Sequence, residues 1–203
     1  MAAIFIIAAS IFDTLDGLAA RLVKVASRFG VELDSLADVV SFGAAPSFLM
    51  YKAYLYQFGW VGIVIASFPA VFGAFRLARF NVMLTDIKTK GDFTGLPIPL
   101  QAITNSFFII SFYKDGAIEA PFNDLVIPII ILLSFLMVSK IRYNALPKIK
   151  DKNLGKRFAY LFILIAALVL AYITNGIILF YIFMALILFG IFRHIFVKFF
   201  ATN

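Results

Sequence analysis

The sequence predicts an all-α, polytopic transmembrane bundle, and three observations predict it. Hydrophobic residues make up 63% of the 203 and charged residues only 14%, where a soluble globule has about 45–50% and about 25%. Mean hydropathy is +1.00. The apolar residues gather in runs close to the roughly 20 residues that cross a bilayer at about 1.5 Å each. Twenty-five Phe, within an aromatic share of 17%, exceed what a chain of this size hides in its own interior, so lipid takes the place of water. A soluble enzyme and a disordered tail are excluded. The absence of cysteine excludes a disulfide scaffold and a thiolate metal site.

Seven segments qualify as spans: 2–23, 35–56, 60–81, 97–113, 122–140, 157–174 and 177–197. The first has no basic n-region and runs into polar residues instead of a small-residue cleavage site, so it reads as a span and not as a signal peptide. The second follows the short link 22–33, which returns it antiparallel to the first. The third carries small residues at Ala66, Ala70 and Gly73, which permit close helix contact, chiefly inside the chain. The fourth is short and opens with Pro97 and Pro99 as a broken entry. The fifth, sixth and seventh complete one domain over 1–203. The runs are too long and alternate too poorly for barrel strands, which leaves helices to satisfy the backbone in lipid.

Sixteen of the eighteen Lys and Arg fall on one side of this topology, in 21–33, 76–96, 140–157 and the C-terminal end, against Lys52 and Lys114 on the other. The positive-inside rule makes that side cytosolic. The net charge of +7 is therefore mainly a topology signal with affinity for anionic headgroups, and no nucleic-acid partner is expected.

Acidic residues at membrane depth cost about 2.5–3.5 kcal/mol or more each, which marks them as functional candidates. Asp13, Asp16, Gly17 and Ala20 fall on one stripe of the first helix, flanked by Arg21. Asp34 and Asp38, four apart, share a face of the next, continued by Ser41 and Ala45. Four carboxylates then converge near the cytosolic surface. Mutual repulsion requires either protonation or cations, and hard divalent ions such as Mg²⁺ or Mn²⁺ suit an all-carboxylate site. Two such ions clamp a phosphoryl group. The competing reading is a set of carboxylates salt-bridged to neighbouring bases.

These residues read Asp13-x-x-Asp16-Gly17-x-x-Ala20-Arg21, eight residues, then Gly30-x-x-x-Asp34-x-x-x-Asp38. The pattern resembles the signature of the CDP-alcohol phosphotransferases at every fixed position. The resemblance implies a membrane-embedded helical bundle with a pair of divalent cations, Mg²⁺ or Mn²⁺, that transfers a phosphatidyl-type group from a CDP-linked lipid to an alcohol and releases CMP. It implies metal ligation by Asp13, Asp16, Asp34 and Asp38, with Asp38 also the general base. It places Gly17, Ala20, Arg21, Ser27 and Gly30 at the CDP-lipid. Three further stretches, Ser41–Pro46, Arg76–Asn81 and Phe93–Pro99, resemble the phosphatidylserine synthase branch, whose donor is CDP-diacylglycerol and whose acceptor is L-serine. Arg76 and Arg79, three apart, form a guanidinium pair suited to a carboxylate or phosphate, and Ser41 and Asn81 join them as candidate acceptor contacts. The competing reading has both arginines snorkelling to the interface.

The resemblance also implies a homodimer in the cell membrane with its active site facing the cytosol. Family members usually carry a further helix ahead of the first aspartate helix. Only twelve residues precede Asp13 here, enough for one span, so that helix is expected to be missing from this chain, through a late start or a real difference. His194, the only histidine, reads as an interfacial residue. Other acceptors (glycerol phosphate or inositol phosphate), an archaeal ether-lipid donor, and a cation transporter using the same carboxylates are the alternative functions.

Overall fold

The computed structural model describes residues 1–23, 28–85, 94–141, 143, 174 and 176–200. Ser27, the sixth predicted span at 157–174 and most of the basic run 140–157 lie outside the described residues. The described chain is mostly helical. It runs α1 (Ala2–Val23), α2 (Arg28–Asp38), a π-helical turn (Val39–Ala44), α3 (Ala45–Ala53), a 3₁₀ turn (Leu55–Phe58), α4 (Gly59–Thr85), α5 (Ile98–Phe112), a short hairpin, a second 3₁₀ turn (Phe122–Leu125), α6 (Val126–Val138) and α7 (Ile177–Phe200).

Among the described residues, two stretches are long and apolar enough to cross a bilayer on their own, Leu55–Val82 and Ile177–Val197. The fourth and fifth expected spans form shorter helices, α5 of 15 residues and α6 of 13. Pro97 and Pro99 fix where α5 begins, because proline fits the first helical turn and not the interior. α5 ends where Asp115 (φ 51°) and Gly116 (φ 89°) turn the chain and pair Tyr113–Lys114 antiparallel with Ala117–Ile118. Asp-Gly with both residues at positive φ is the usual signal for a two-residue hairpin, and the span-based reading passes over it.

The second expected span is not one uniform helix. α2 already starts at Arg28, and after Asp38 the backbone widens, with the Ala45 N–H bonding the Val40 carbonyl five residues back. Pro46 supplies the cause. It has no N–H to donate, and in a regular α-helix its ring would crowd the carbonyl of Phe42. A π turn relieves that crowding, and such turns concentrate at functional sites.

Among the described residues an apolar core holds a strip of buried polar side chains, and the outer surface is apolar as well. α5 runs through the centre, packed against α1, α3, α6 and α7. It buries Gln101, Thr104, Asn105 and Ser106 completely. The outward faces carry Phe5, Phe12, Trp60, Phe75, Phe189 and Phe192, all exposed, the inverse of a soluble protein. Aromatic contacts tie the layers together. Phe72 of α4 meets Phe135 of α6 at 4.9 Å between ring centroids, and Phe108 of α5 meets Phe180 of α7 at 5.4 Å. The small residues of α4 serve packing within the chain. A Cβ on Gly43 would lie 3.0 Å from the Ala70 Cα, and one on Gly73 would strike Ile98. Near the middle of α7, the Tyr143 ring fills the space a Cβ on Gly190 would need, and burial pushes its phenol up to about 12.

A strap over residues 94–97 joins three helices at one end of the bundle. The Gly95 N–H donates to the Ile141 carbonyl (2.8 Å) and the Leu96 N–H to the Leu136 carbonyl (2.9 Å). Arg79 of α4 donates to the Val138 carbonyl (3.2 Å) at the end of α6 and to the Thr94 hydroxyl. Gly95 has φ 86°, and a Cβ there would sit 2.1 Å from the Met137 carbonyl oxygen. Gly95→Ala adds left-handed strain to overpacking, so a loss of about 2–4 kcal/mol is expected. A thermal unfolding series in detergent should place it well below Gly116→Ala, whose Cβ meets nothing within 4 Å.

Candidate active site

The inner stripe of α1 leads from the core to a carboxylate. Ala3, Ile6 and Ser10 are buried, Asp13 follows half-buried, and Gly17 comes one turn later. The 3–4 spacing that buries the apolar residues also aims Asp13 inward. Asp34 and Asp38 come from α2, with Asp38 the last residue before the π turn.

Oxygens of Asp13, Asp34 and Asp38 all lie within 4.8 Å of one another. Asp13 and Asp38 are in direct side-chain contact. Two like charges about 4 Å apart repel by roughly 4 kcal/mol at an effective dielectric of 20. Arg76 of α4 is the cation within electrostatic reach of Asp38, and its Nε is buried with no hydrogen-bond partner. Among the described side chains, these three acids face one guanidinium, which leaves net negative charge. The donor set is all oxygen, charged and convergent, which fits a hard divalent cation.

The other predicted residues are placed as follows. Asp16 is exposed and falls outside the three-carboxylate group, although its charge is felt by Asp13. An offset of three residues turns it about 60° from the Asp13 direction, whereas Gly17, four on, stays closer. Ala20 and Arg21 fall within α1, and Gly30 lies in α2. Ser41 is half-buried in the π turn. Arg79 is committed to the strap, and Asn81 hydrogen-bonds Glu32 and Ser35 of α2. Sequence reasoning therefore finds the Asp13, Asp34, Asp38 and Arg76 neighbourhood. It misses Thr94, Glu32 and Ser35 as partners, since pairs 15 and 46–49 residues apart leave no local signal.

Comparisons with known proteins identify the family. The family model of the CDP-alcohol phosphatidyltransferases matches residues 1–123, which include every residue of the site, and the chain belongs to that family. It is 41% identical over 150 residues to the CDP-diacylglycerol–serine O-phosphatidyltransferase of Helicobacter pylori, covering 74% of this chain and 63% of the relative. It is 37% identical over 154 residues to the protein of the same name from Bacillus subtilis, covering 75% of this chain and 80% of the relative. It is also 40% identical over 145 residues to the archaetidylserine synthase of Methanothermobacter thermautotrophicus, covering 70% and 57%. The chain thus spans a little under two thirds of the Helicobacter protein's length. No solved structure matches it.

The geometry ranks the acids. Asp13→Asn and Asp34→Asn should each weaken Mn²⁺ binding by at least about tenfold, and Asp16→Asn by less. Isothermal titration of the full chain in nanodiscs measures this order, and equal losses at all three positions would contradict the ranking.

Proposed function

We propose that this chain transfers a phosphatidyl group from CDP-diacylglycerol to the hydroxyl of L-serine, giving phosphatidylserine and CMP. The carrying observation is the convergence of Asp13, Asp34 and Asp38 from the two helices that hold the family signature. The serine acceptor is supported by the printed names of the Helicobacter and Bacillus relatives. Asp13, Asp16, Asp34 and Asp38 would hold two divalent cations, Mg²⁺ or Mn²⁺, which when bound neutralise charge on the phosphates. Gly17, Ala20, Arg21, Ser27 and Gly30 line the CDP-lipid in this reading.

The chain's own residues have distinct tasks. Asp38 accepts the proton of the serine hydroxyl as its oxygen forms the new bond to phosphorus. The bond from that phosphorus to the CMP oxygen breaks, and CMP leaves with the electron pair. The Arg76 guanidinium, with an unpartnered Nε, offers a donor to the serine carboxylate or a phosphate oxygen. Ser41, half-buried just past Asp38, is the remaining candidate acceptor contact. The acids flank the basic segment 21–33 in sequence, which supports a site facing the cytosol in a seven-span, multi-pass protein of the cell membrane. A homodimer completes the proposal.

A second donor is favoured by a specific observation, the similarity to an archaetidylserine synthase, which makes a CDP-linked ether lipid the alternative to the diacyl ester. Purified chain in nanodiscs with Mn²⁺ should release CMP on addition of serine. Glycerol phosphate or inositol phosphate should give at least about tenfold less, and Asp38→Asn should lower turnover by about 10² or more. Full turnover in Asp38→Asn would exclude the proposed base. Mn²⁺ uptake into proteoliposomes without CMP release would favour a transporter instead.

A further inference from the structure

Helix α2 carries two of the three clustered carboxylates yet is weakly anchored by packing. Phe29, Leu33 and Leu36 are all exposed, at 76%, 54% and 65%. Among the side chains described on α2, only Ser35 and Asp38 are even half-buried. Asp34 itself is exposed. The buried π turn and α3 hold the C-terminal end of α2, but burial of α2's own side chains does little to fix how its preceding turns sit on α4, although Asp34 must lie within 4.8 Å of Asp13 and Asp38.

Among the described residues, one set of directional side-chain contacts ties these turns to α4. Asn81, half-buried near the end of α4, uses both hydrogens of its amide nitrogen. Nδ2 donates to Glu32 Oε2 at 3.0 Å and to Ser35 Oγ at 3.1 Å. The Ser35 hydroxyl lies 3.0 Å from the Val31 carbonyl, to which it donates, and 3.4 Å from Asn81 Oδ1. Glu32 and Ser35 are three apart and so share one face of α2. Asp34 stands between them in sequence, and one helical step of about 100° turns it from Ser35 toward the other carboxylates. Both amide hydrogens being committed also leaves Asn81 no donor for an acceptor alcohol.

We propose that Asn81 is a positioning residue: by clamping Glu32 and Ser35 it sets the register of α2 on α4, so that Asp34 joins Asp13 and Asp38. This rests on reading those carboxylates as the metal site, but the register itself does not require metal. Groups that orient metal ligands in this way typically contribute about 10–100-fold to affinity.

The test uses a donor–acceptor reversal in the full chain in nanodiscs. Asn81→Asp keeps the shape and sets two carboxylates face to face. Adding Glu32→Gln supplies an amide donor from the other side. The expected result is Mn²⁺ affinity about tenfold weaker in Asn81→Asp, recovered to within about threefold in the double variant, with the serine KM at saturating Mn²⁺ unchanged in both. A second readout is metal-free. The chain has no cysteine, so oxidative cross-linking of an Asp13→Cys, Asp34→Cys pair reports the register directly. Its yield should fall several-fold with Asn81→Asp and return with Glu32→Gln. If the parent chain binds no Mn²⁺ while cross-linking follows this order, the metal reading fails and the clamp stands. A raised serine KM with unchanged Mn²⁺ affinity, cross-linking indifferent to Asn81→Asp, or no recovery in the double variant would overturn the clamp.

Discussion

Three carboxylates held within 4.8 Å of one another, in a bundle whose outer surface is largely apolar, set the terms for everything around them. Like charges at that spacing separate unless something compensates or restrains them. The compensation among the described side chains is small, one guanidinium from Arg76. The restraint is therefore structural. α1 is held by the buried stripe Ala3, Ile6 and Ser10, α2 by its hydrogen bonds to Asn81, and the π turn seats Asp38 at the top of α3. Under the proposed function, a divalent cation bound here would relieve this repulsion, so affinity for the ion and order at the site would be linked.

The second organising feature is the strap at 94–97. It closes the ends of α4 and α6 over the start of α5 through Arg79, Gly95 and Leu96. Arg76 projects from the same turn region of α4 that Arg79 locks down. The two arginines share a short motif and divide its work, one facing the acids and one holding the scaffold.

Much of this was legible in the sequence, for identifiable reasons. Composition and apolar run length announced helices with lipid-facing surfaces, because burial in lipid acts on every residue of a span. Asp34 and Asp38 declared a shared face because helical periodicity is local. Where longer-range packing decides, the sequence was silent or misleading. Asp16 looked equivalent to Asp13, yet about a sixth of a turn separates a half-buried side chain from an exposed one. Arg79 and Asn81 looked like ligands for a substrate because both are polar and follow Arg76 closely. Their partners, Thr94, Val138, Glu32 and Ser35, come from remote segments. The π turn had a signal in Gly43 and Pro46, but an unbroken apolar run masks it.

The central claim is that Asp13, Asp34 and Asp38 form the heart of a divalent-metal site that receives a CDP-linked lipid. Crystals of the full chain grown with CDP-diacylglycerol and Mn²⁺, measured at the manganese absorption edge, test it most directly. The account predicts two anomalous peaks a few Å apart between Asp13, Asp16, Asp34 and Asp38, with the diphosphate beside them. Ordered nucleotide with no anomalous peak at these carboxylates, or manganese bound only elsewhere, would contradict it.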